Sequence, residues 1–284
     1  MASQMNSHVE VKMSDGQPRG NSDSIVVAVA THKPYRMPDD PLYLPLQVGA
    51  ALHPELSLDY QRDDSGDNIS DRNAYYSELT GLYWMWKNNH AAYKGLVHYR
   101  RHFGSLKNRH SSDRFQRIIG LEEMREILAS HDIVVAQKHN YYVETIYSHY
   151  AHTFHHEQFD LCREVLTEKY PEYVAAWDAE MKATSAHLFN MFVMRSDLFD
   201  SYCEWMFSVL AELEKKLDPA EYEDSFQARY LGRVSERLLD PWLQTNGLSY
   251  SELPVVSPEP VNWWKKGTGF LLAKFGVKKY DKSF

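Results

Sequence analysis

An α/β fold, a mainly parallel central sheet flanked by helices, is predicted by three observations. Short continuous apolar runs of strand length recur along the chain, amphipathic helical patterns fall between them, and 43% of the 284 residues are hydrophobic. Runs that are continuous, not alternating, mark strands covered on both faces. The length suits one catalytic-size domain, and no internal repeat or low-complexity linker divides it. The expected organisation is a disordered polar tail over 1–23, a single domain over 24–261 and a basic aromatic tail over 262–284.

The elements follow in order. Ile25-Val26-Val27-Ala28-Val29-Ala30 is the first buried strand, and it ends in Thr31-His32-Lys33-Pro34, where proline stops regular pairing. Asp63 to Ser70 is a loop by composition. From Asn73 to about Asn88, residues Tyr75, Leu79, Leu82, Tyr83 and Trp86 fall at helical spacing. Leu96–Tyr99 is the next strand, so a strand–helix–strand unit is established. A helix over Leu121–Ser130 precedes a buried strand over Asp132–Ala136, and helical patterns run from about Tyr147 to Lys169. Leu188–Met194 reads as a strand and leads into a long helix from about Ser196 to Leu217, with Ser196 as N-cap and Asp197 in the first turn. A last helix spans Ser225 to Thr245, with a kink or stop expected at Pro241.

The net charge of −8 argues against general nucleic-acid binding, which needs a basic face. That charge is uneven: residues 262–284 hold six lysines and one aspartate, interleaved with Trp263, Trp264, Phe270 and Phe275. Such a segment has the composition of one lying on anionic lipid, although a solvated or self-docked tail has the same charges. The two cysteines, Cys162 and Cys203, sit in amphipathic patterns as buried thiols of a reducing compartment. With no secretory signal and no apolar run long enough to span a bilayer, the expected location is cytoplasmic, peripheral on the inner face of the plasma membrane.

Several groups could carry chemistry. His98-Tyr99-Arg100-Arg101 breaks a core strand with two guanidiniums, which need anionic partners, and in open α/β sheets ligands bind beyond the carboxyl ends of strands. A nucleotide diphosphate fits that position, and so does a solvated strand end with local ion pairs. Asp63, Asp64, Asp67 and Asn68 form an acidic loop ahead of Glu78, without the spacing of a calcium loop. His149, His152, His155 and His156 form a cluster in which three could share a helical face, which zinc could exploit, but no metalloprotease-type motif accompanies them. Asn190 stands inside an apolar strand and is either satisfied internally or faces a ligand. Glu236 is either a general base or half of a helix ion pair with Arg233 or Arg237.

Taken together, His32-Lys33, Leu44 to Ala50, Gly66 to Ser70, Glu78 to Asn88, His98 to Arg101, Asn190-Met191-Phe192 and Ser235 to Leu239 resemble a bacterial capsular and exopolysaccharide glycosyltransferase family long known as a domain of unknown function, some members of which are galactofuranosyltransferases. The resemblance covers about residues 25–284. It implies a GT-A-like nucleotide-sugar fold and inverting transfer from UDP-galactofuranose to a glycan acceptor in capsule, exopolysaccharide or O-antigen assembly. A lipid-linked acceptor accords with the basic tail. On this reading Glu236 is the first candidate base, with Asp67, Glu78 and Asp224 behind it. Thr31, His32, Asp67, Asn68, His98, Tyr99, Arg100, Arg101 and Asn190 line the sugar-donor side. GT-A enzymes usually carry an Asp-x-Asp pair that holds a metal on the diphosphate, whereas this strand end offers Tyr99-Arg100-Arg101. Arginines neutralise phosphate directly, so no metal ligand is assigned and dependence on Mg or Mn is expected to be weak. Two other readings are a non-catalytic glycan- or nucleotide-binding module and a metal-dependent hydrolase built on His149–His156.

Overall fold

The structure is a computed structural model that describes residues 24–222 and 224–259. The expected tails, 1–23 and 262–284, lie outside the described residues. In chain order the elements are β1 (Ile25–Thr31), β2 (Tyr43–Gln47), β3 (Gln61–Arg62), α1 (Asn73–Tyr76), α2 (Leu79–Asn88), β4 (Tyr93–His98), β5 (His102–Phe103), α3 (Leu121–Leu128), β6 (Ile133–Ala136) and β7 (His139–Asn140). They continue with α4 (Ile146–Thr153), α5 (Glu157–Lys169), α6 (Val174–Lys182), β8 (Ser185–Ala186), β9 (Phe192–Arg195), α7 (Ser196–Lys216), α8 (Ser225–Ala228), α9 (Tyr230–Ser235), α10 (Leu239–Thr245), β10 (Ser251–Leu253) and β11 (Val255–Val256).

Seven strands form the central sheet in the order β10-β6-β9-β4-β1-β2-β3. Every neighbouring pair is parallel except those of β9, which runs antiparallel to both β4 and β6. β1 is central because its residues are apolar on both faces. Ala28 and Ala30 join the core under α2, α5, α7, α9 and α10, while Val27 and Val29 join the core under α3. Gly95 in β4 is required by the close approach of β9: a Cβ there would lie 2.6 Å from the Phe192 carbonyl oxygen. Lys94, beside it, is buried and pairs through Nζ with Asp200, while its ammonium stands 4.9 Å over the Phe199 ring. α7 closes the larger core with Phe199, Tyr202, Met206 and Leu210 among its fully buried side chains. Each such residue contributes about 1.5–3 kcal/mol by leaving water.

Four expected elements differ in extent. The helix expected from Asn73 to Asn88 is two helices, because Ser77 takes φ +52° between them. The Tyr147–Lys169 pattern is likewise two helices, α4 and α5, separated at Phe154–His156. The strand expected from Leu188 begins only at Phe192, since Phe189 and Asn190 both have positive φ (74° and 50°), which no strand allows. The Ser225–Thr245 helix is three short helices. Pro241 neither kinks nor stops the last of them, because it sits in the first turn of α10, where no intrahelical N–H bond is required. Among the described residues no helix is long and apolar enough to cross a membrane.

His102 in β5 is fully buried, edge-on to Tyr43 at 5.6 Å, and burial pulls its pKa down from 6.5 to about 4. The ring is therefore neutral in the fold, and the unfolded chain takes up the proton first as pH falls. Stability from this group is intact above about 6.5 and is lost progressively down to about 4. His102→Phe should be about 2 kcal/mol less sensitive than the wild type to a shift from pH 7 to pH 5, read from urea unfolding at the two values.

Candidate active site

The site is built where β4 ends. His98 N donates to Arg101 O (3.1 Å) and Arg101 N donates to His98 O (2.9 Å), so Tyr99 and Arg100 form the tip of a tight turn. Tyr99 N ties that tip to the end of β1 through Ala30 O, 3.1 Å away. The turn sends the two arginines different ways. Arg100 points to the rim, where its Nε lies 3.2 Å from a Glu259 carboxylate oxygen and its carbonyl accepts from Ser257 Oγ at 2.9 Å. Arg101 turns inward over the Phe189 ring, 4.4 Å from its centre. Burial lowers the pKa of Arg101, and the carboxylates of Glu236 and Glu78 act against that shift.

Those carboxylates arrive from two helix ends. Glu78 stands at the N-terminus of α2 and Glu236 directly after α9. Asn190 holds the first in place: its Nδ2 donates to Glu78 Oε1 at 2.7 Å and more weakly to Gly232 O at 3.3 Å, while its Oδ1 accepts from Ser235 Oγ at 3.1 Å. The left-handed turn that carries Asn190 is closed by His98 Nε2 against the Phe189 carbonyl. Glu236 Oε2 accepts from Arg237 Nη1 at 3.1 Å, so the ion-pair reading of this residue is realised in part. Arg233 donates instead to the Phe226 and Gln227 carbonyls. Burial, opposed by Arg237 and reinforced by Glu78, raises the pKa of Glu236. Its side chain keeps 20% exposure, enough for a substrate hydroxyl to reach the carboxyl.

The rim opposite this acidic floor is basic and aromatic. Tyr35 and His32 both stand edge-on to Tyr99, at 5.0 and 5.5 Å, and the Lys33 ammonium lies 5.1 Å over the same ring. Partial desolvation, then Lys33 and Arg229, lower the pKa of His32. Tyr35, Arg229 and Arg237 are site residues that the sequence did not single out for this role. Tyr35 and Arg229 come from the segment after β1 and the end of α8, and no local pattern marks them.

Other expected residues fall elsewhere. Thr31 is buried with its hydroxyl donating to Lys33 O at 2.8 Å, so it shapes the strand end and presents no free group. Asp67 and Asn68 are not brought to this cluster. Asp67 N donates to Asn88 Oδ1 (3.2 Å) and its carboxylate accepts from Tyr83 OH (3.2 Å), which places it at the C-terminal end of α2. Glu78 is at the other end of that ten-residue helix, about 15 Å away. Asn68 bonds within its own loop, to Gly66 O and Ser70 N. Asp63 is structural, accepting from the Gly49 and Ala50 amides and the Ser70 and Thr80 hydroxyls. Asp224 caps α8 through Phe226 N. The histidine cluster is split by the α4–α5 break and serves carboxylates: His149 and His152 share Glu144, His155 pairs with Glu157, and His156 pairs with Asp160. Among the described residues no three His, Cys, Asp or Glu side chains gather as metal ligands, so the hydrolase reading has no geometry behind it.

Residues 26–247 match the family described as domain of unknown function (DUF4422). The fold is similar to that of a solved structure titled as the apo form of the WbbM bifunctional glycosyltransferase, with a TM-score of 0.76 and 30% sequence identity. The match covers 82% of this chain and 45% of that one, so this chain spans less than half of that protein's length. No curated protein matches the chain. The seven-stranded, mostly parallel sheet with helices on both faces is GT-A-like.

Asn190 makes a specific stability prediction. Asn190→Ala removes its bonds to Glu78 and Ser235 and puts alanine, which tolerates left-handed φ less well than asparagine, at φ +50°, and should cost about 2–3 kcal/mol. Asn190→Gly loses the same bonds without the backbone penalty and should be about 1 kcal/mol less damaging in urea unfolding.

Proposed function

The chain belongs to the DUF4422 family, and from that membership and the site just described we propose that it is a glycosyltransferase acting on a nucleotide sugar and a glycan acceptor. One observation carries the reading: a half-buried arginine stands between a pair of carboxylates and a cationic, aromatic rim, at the carboxyl edge of a GT-A-like sheet. The likeness to a protein titled as a glycosyltransferase supports it. The rim suits a nucleotide diphosphate, with aromatic faces for the base and guanidiniums for the phosphates. The acidic floor suits a sugar and the hydroxyl that attacks it.

UDP-galactofuranose is the proposed donor, on the family resemblance, and transfer is inverting. Glu236 takes the proton of the acceptor hydroxyl as that oxygen bonds to the anomeric carbon. The bond from that carbon to the diphosphate breaks, and the diphosphate leaves with the electron pair. The raised pKa of Glu236 makes it a stronger base than an ordinary carboxylate. Arg101, with Arg100 at the rim, neutralises the leaving group. A cation would meet guanidiniums where other GT-A enzymes present an Asp-x-Asp pair, so Mg or Mn is proposed to matter little. The described chain reaches Glu259 at this rim, ahead of the six-lysine segment 262–284, which favours a lipid-linked acceptor and peripheral contact with the inner membrane face.

Released UDP from a panel of UDP-sugars, with and without acceptor, tests the reading, and a chain that turns over none of them refutes it. Glu236→Gln should lower kcat by 10²–10⁴-fold with donor binding spared. Since Glu236 must be ionised to act and its pKa is raised, the acid limb of the wild-type rate profile should lie above the ordinary carboxylate value of about 4.3 and vanish in that variant. Arg101→Ala should raise the donor KM at least tenfold, and EDTA should leave most wild-type turnover intact. Sedimentation with phosphatidylglycerol vesicles should be lost when the chain is cut after residue 261.

A further inference from the structure

Beside the active site, between α6 and α10, lies a cavity of about 240 Å³ whose polar wall is Glu180, Asp240 and Lys138, with Gln244 and Tyr250 at its rim and Leu243 on its apolar side. We propose that this cavity is a subsite for one uncharged sugar ring of the acceptor, an assignment that rests on the glycosyltransferase reading.

One polar atom in the cavity wall is unanswered. Glu180 is only 6% exposed, lines the cavity, and has no hydrogen-bond partner for Oε1. Leaving a buried carboxyl oxygen without a partner is unfavourable, and a ligand hydroxyl placed in the cavity would offset that cost. The charges of the wall also favour a neutral ligand. Lys138 Nζ stands 3.5 Å from Asp240 Oδ1, so that carboxylate already has its cation. Burial first, then Asp240 through its charge and a hydrogen bond between the two carboxyls, push the Glu180 pKa well up against Lys138 and Arg237, so a proton is held between Glu180 and Asp240 while Oε1 stays available as an acceptor. A neutral, hydroxyl-rich ligand matches such a wall, and a cation does not. The wall is held in place in advance. Asp240 is fixed by His187, which donates from its backbone N at 3.0 Å and meets the carboxylate through Nδ1 at 2.5 Å, while His187 Nε2 meets Glu252 at 3.0 Å. The room, roughly that of eight water molecules, is the scale of one monosaccharide.

The cavity is also well placed. Arg237 holds Glu236 with Nη1 and donates to Tyr141 OH with Nη2 at 3.3 Å, and its charge acts on Glu180 as well as on Glu236. One guanidinium therefore separates the cavity from the proposed base. An acceptor seated in both would present one hydroxyl to Glu236 and its neighbouring ring to Glu180.

The test uses the full chain and free galactose, glucose and N-acetylglucosamine at millimolar concentration, read by saturation-transfer NMR. At least one sugar should give signals that fall fivefold or more in Glu180→Leu and in Gln244→Ala. The second of these alters an exposed rim residue and leaves the fold unstressed. In turnover assays the same variants should raise the acceptor KM at least fivefold while the donor KM moves less than twofold. Sugar signals that depend on these residues in a chain without transferase turnover would keep the subsite and remove the glycosyltransferase reading. Turnover with an unchanged acceptor KM in both variants, or no sugar signal in the wild type, overturns the subsite.

Discussion

A guanidinium half-buried just beyond the end of a central strand needs negative charge beside it, and the carboxyl edge of this sheet is organised around that demand. Arg101 is turned inward by a two-residue turn that β1 holds in register, and once inside it lies over the Phe189 ring. Glu78 and Glu236 then have to converge on it. Glu236 is held above the ordinary carboxylate range first by burial, with Glu78 adding to the shift and Arg237 opposing it. Arg101 and Arg237 make the pair tolerable. The geometry is thus a mutual constraint among four charges, and loosening one leaves the others uncompensated.

That constraint explains why the secondary structure is broken where it is. α1 and α2 are separated at Ser77 so that Glu78 begins a helix in place of lying inside one, and α9 stops at Ser235 so that Glu236 leaves the helix surface. Two consecutive non-glycine residues at positive φ, Phe189 and Asn190, cost backbone energy, and they are held by contacts to His98, Glu78, Gly232 and Ser235. Irregularity concentrates at the site because regular helices and strands could not aim these side chains together.

The sequence was most legible where a single physical pattern governed. Continuous apolar runs identified β1, β4 and β6, and the arginine pair at the end of one of them pointed to the candidate site. It was least legible where two elements had to be placed relative to one another. Composition made Asp67 and Asn68 attractive but could not say at which end of α2 their loop packs. The helical spacing through 225–245 stays in phase across two breaks, so it gave no sign that Glu236 sits at one of them. Asn190 was legible as an odd amide among apolar residues, but its partner Glu78 lies 112 positions earlier in the chain. The rim residues Tyr35 and Arg229 carry no local mark at all, since their role comes from tertiary placement alone.

The reversed direction of β9 has a consequence for where variation can act. Parallel strands deliver their trailing loops to the carboxyl edge of the sheet, whereas a strand running the other way delivers its leading one. The residues just before Phe192 therefore share the chemical edge with the ends of β1 and β4, while Arg195, at the opposite end, is engaged with Asp132 and Asp197 on the far side. Substitutions upstream of β9 thus bear on the candidate site, and changes downstream of it fall on scaffolding.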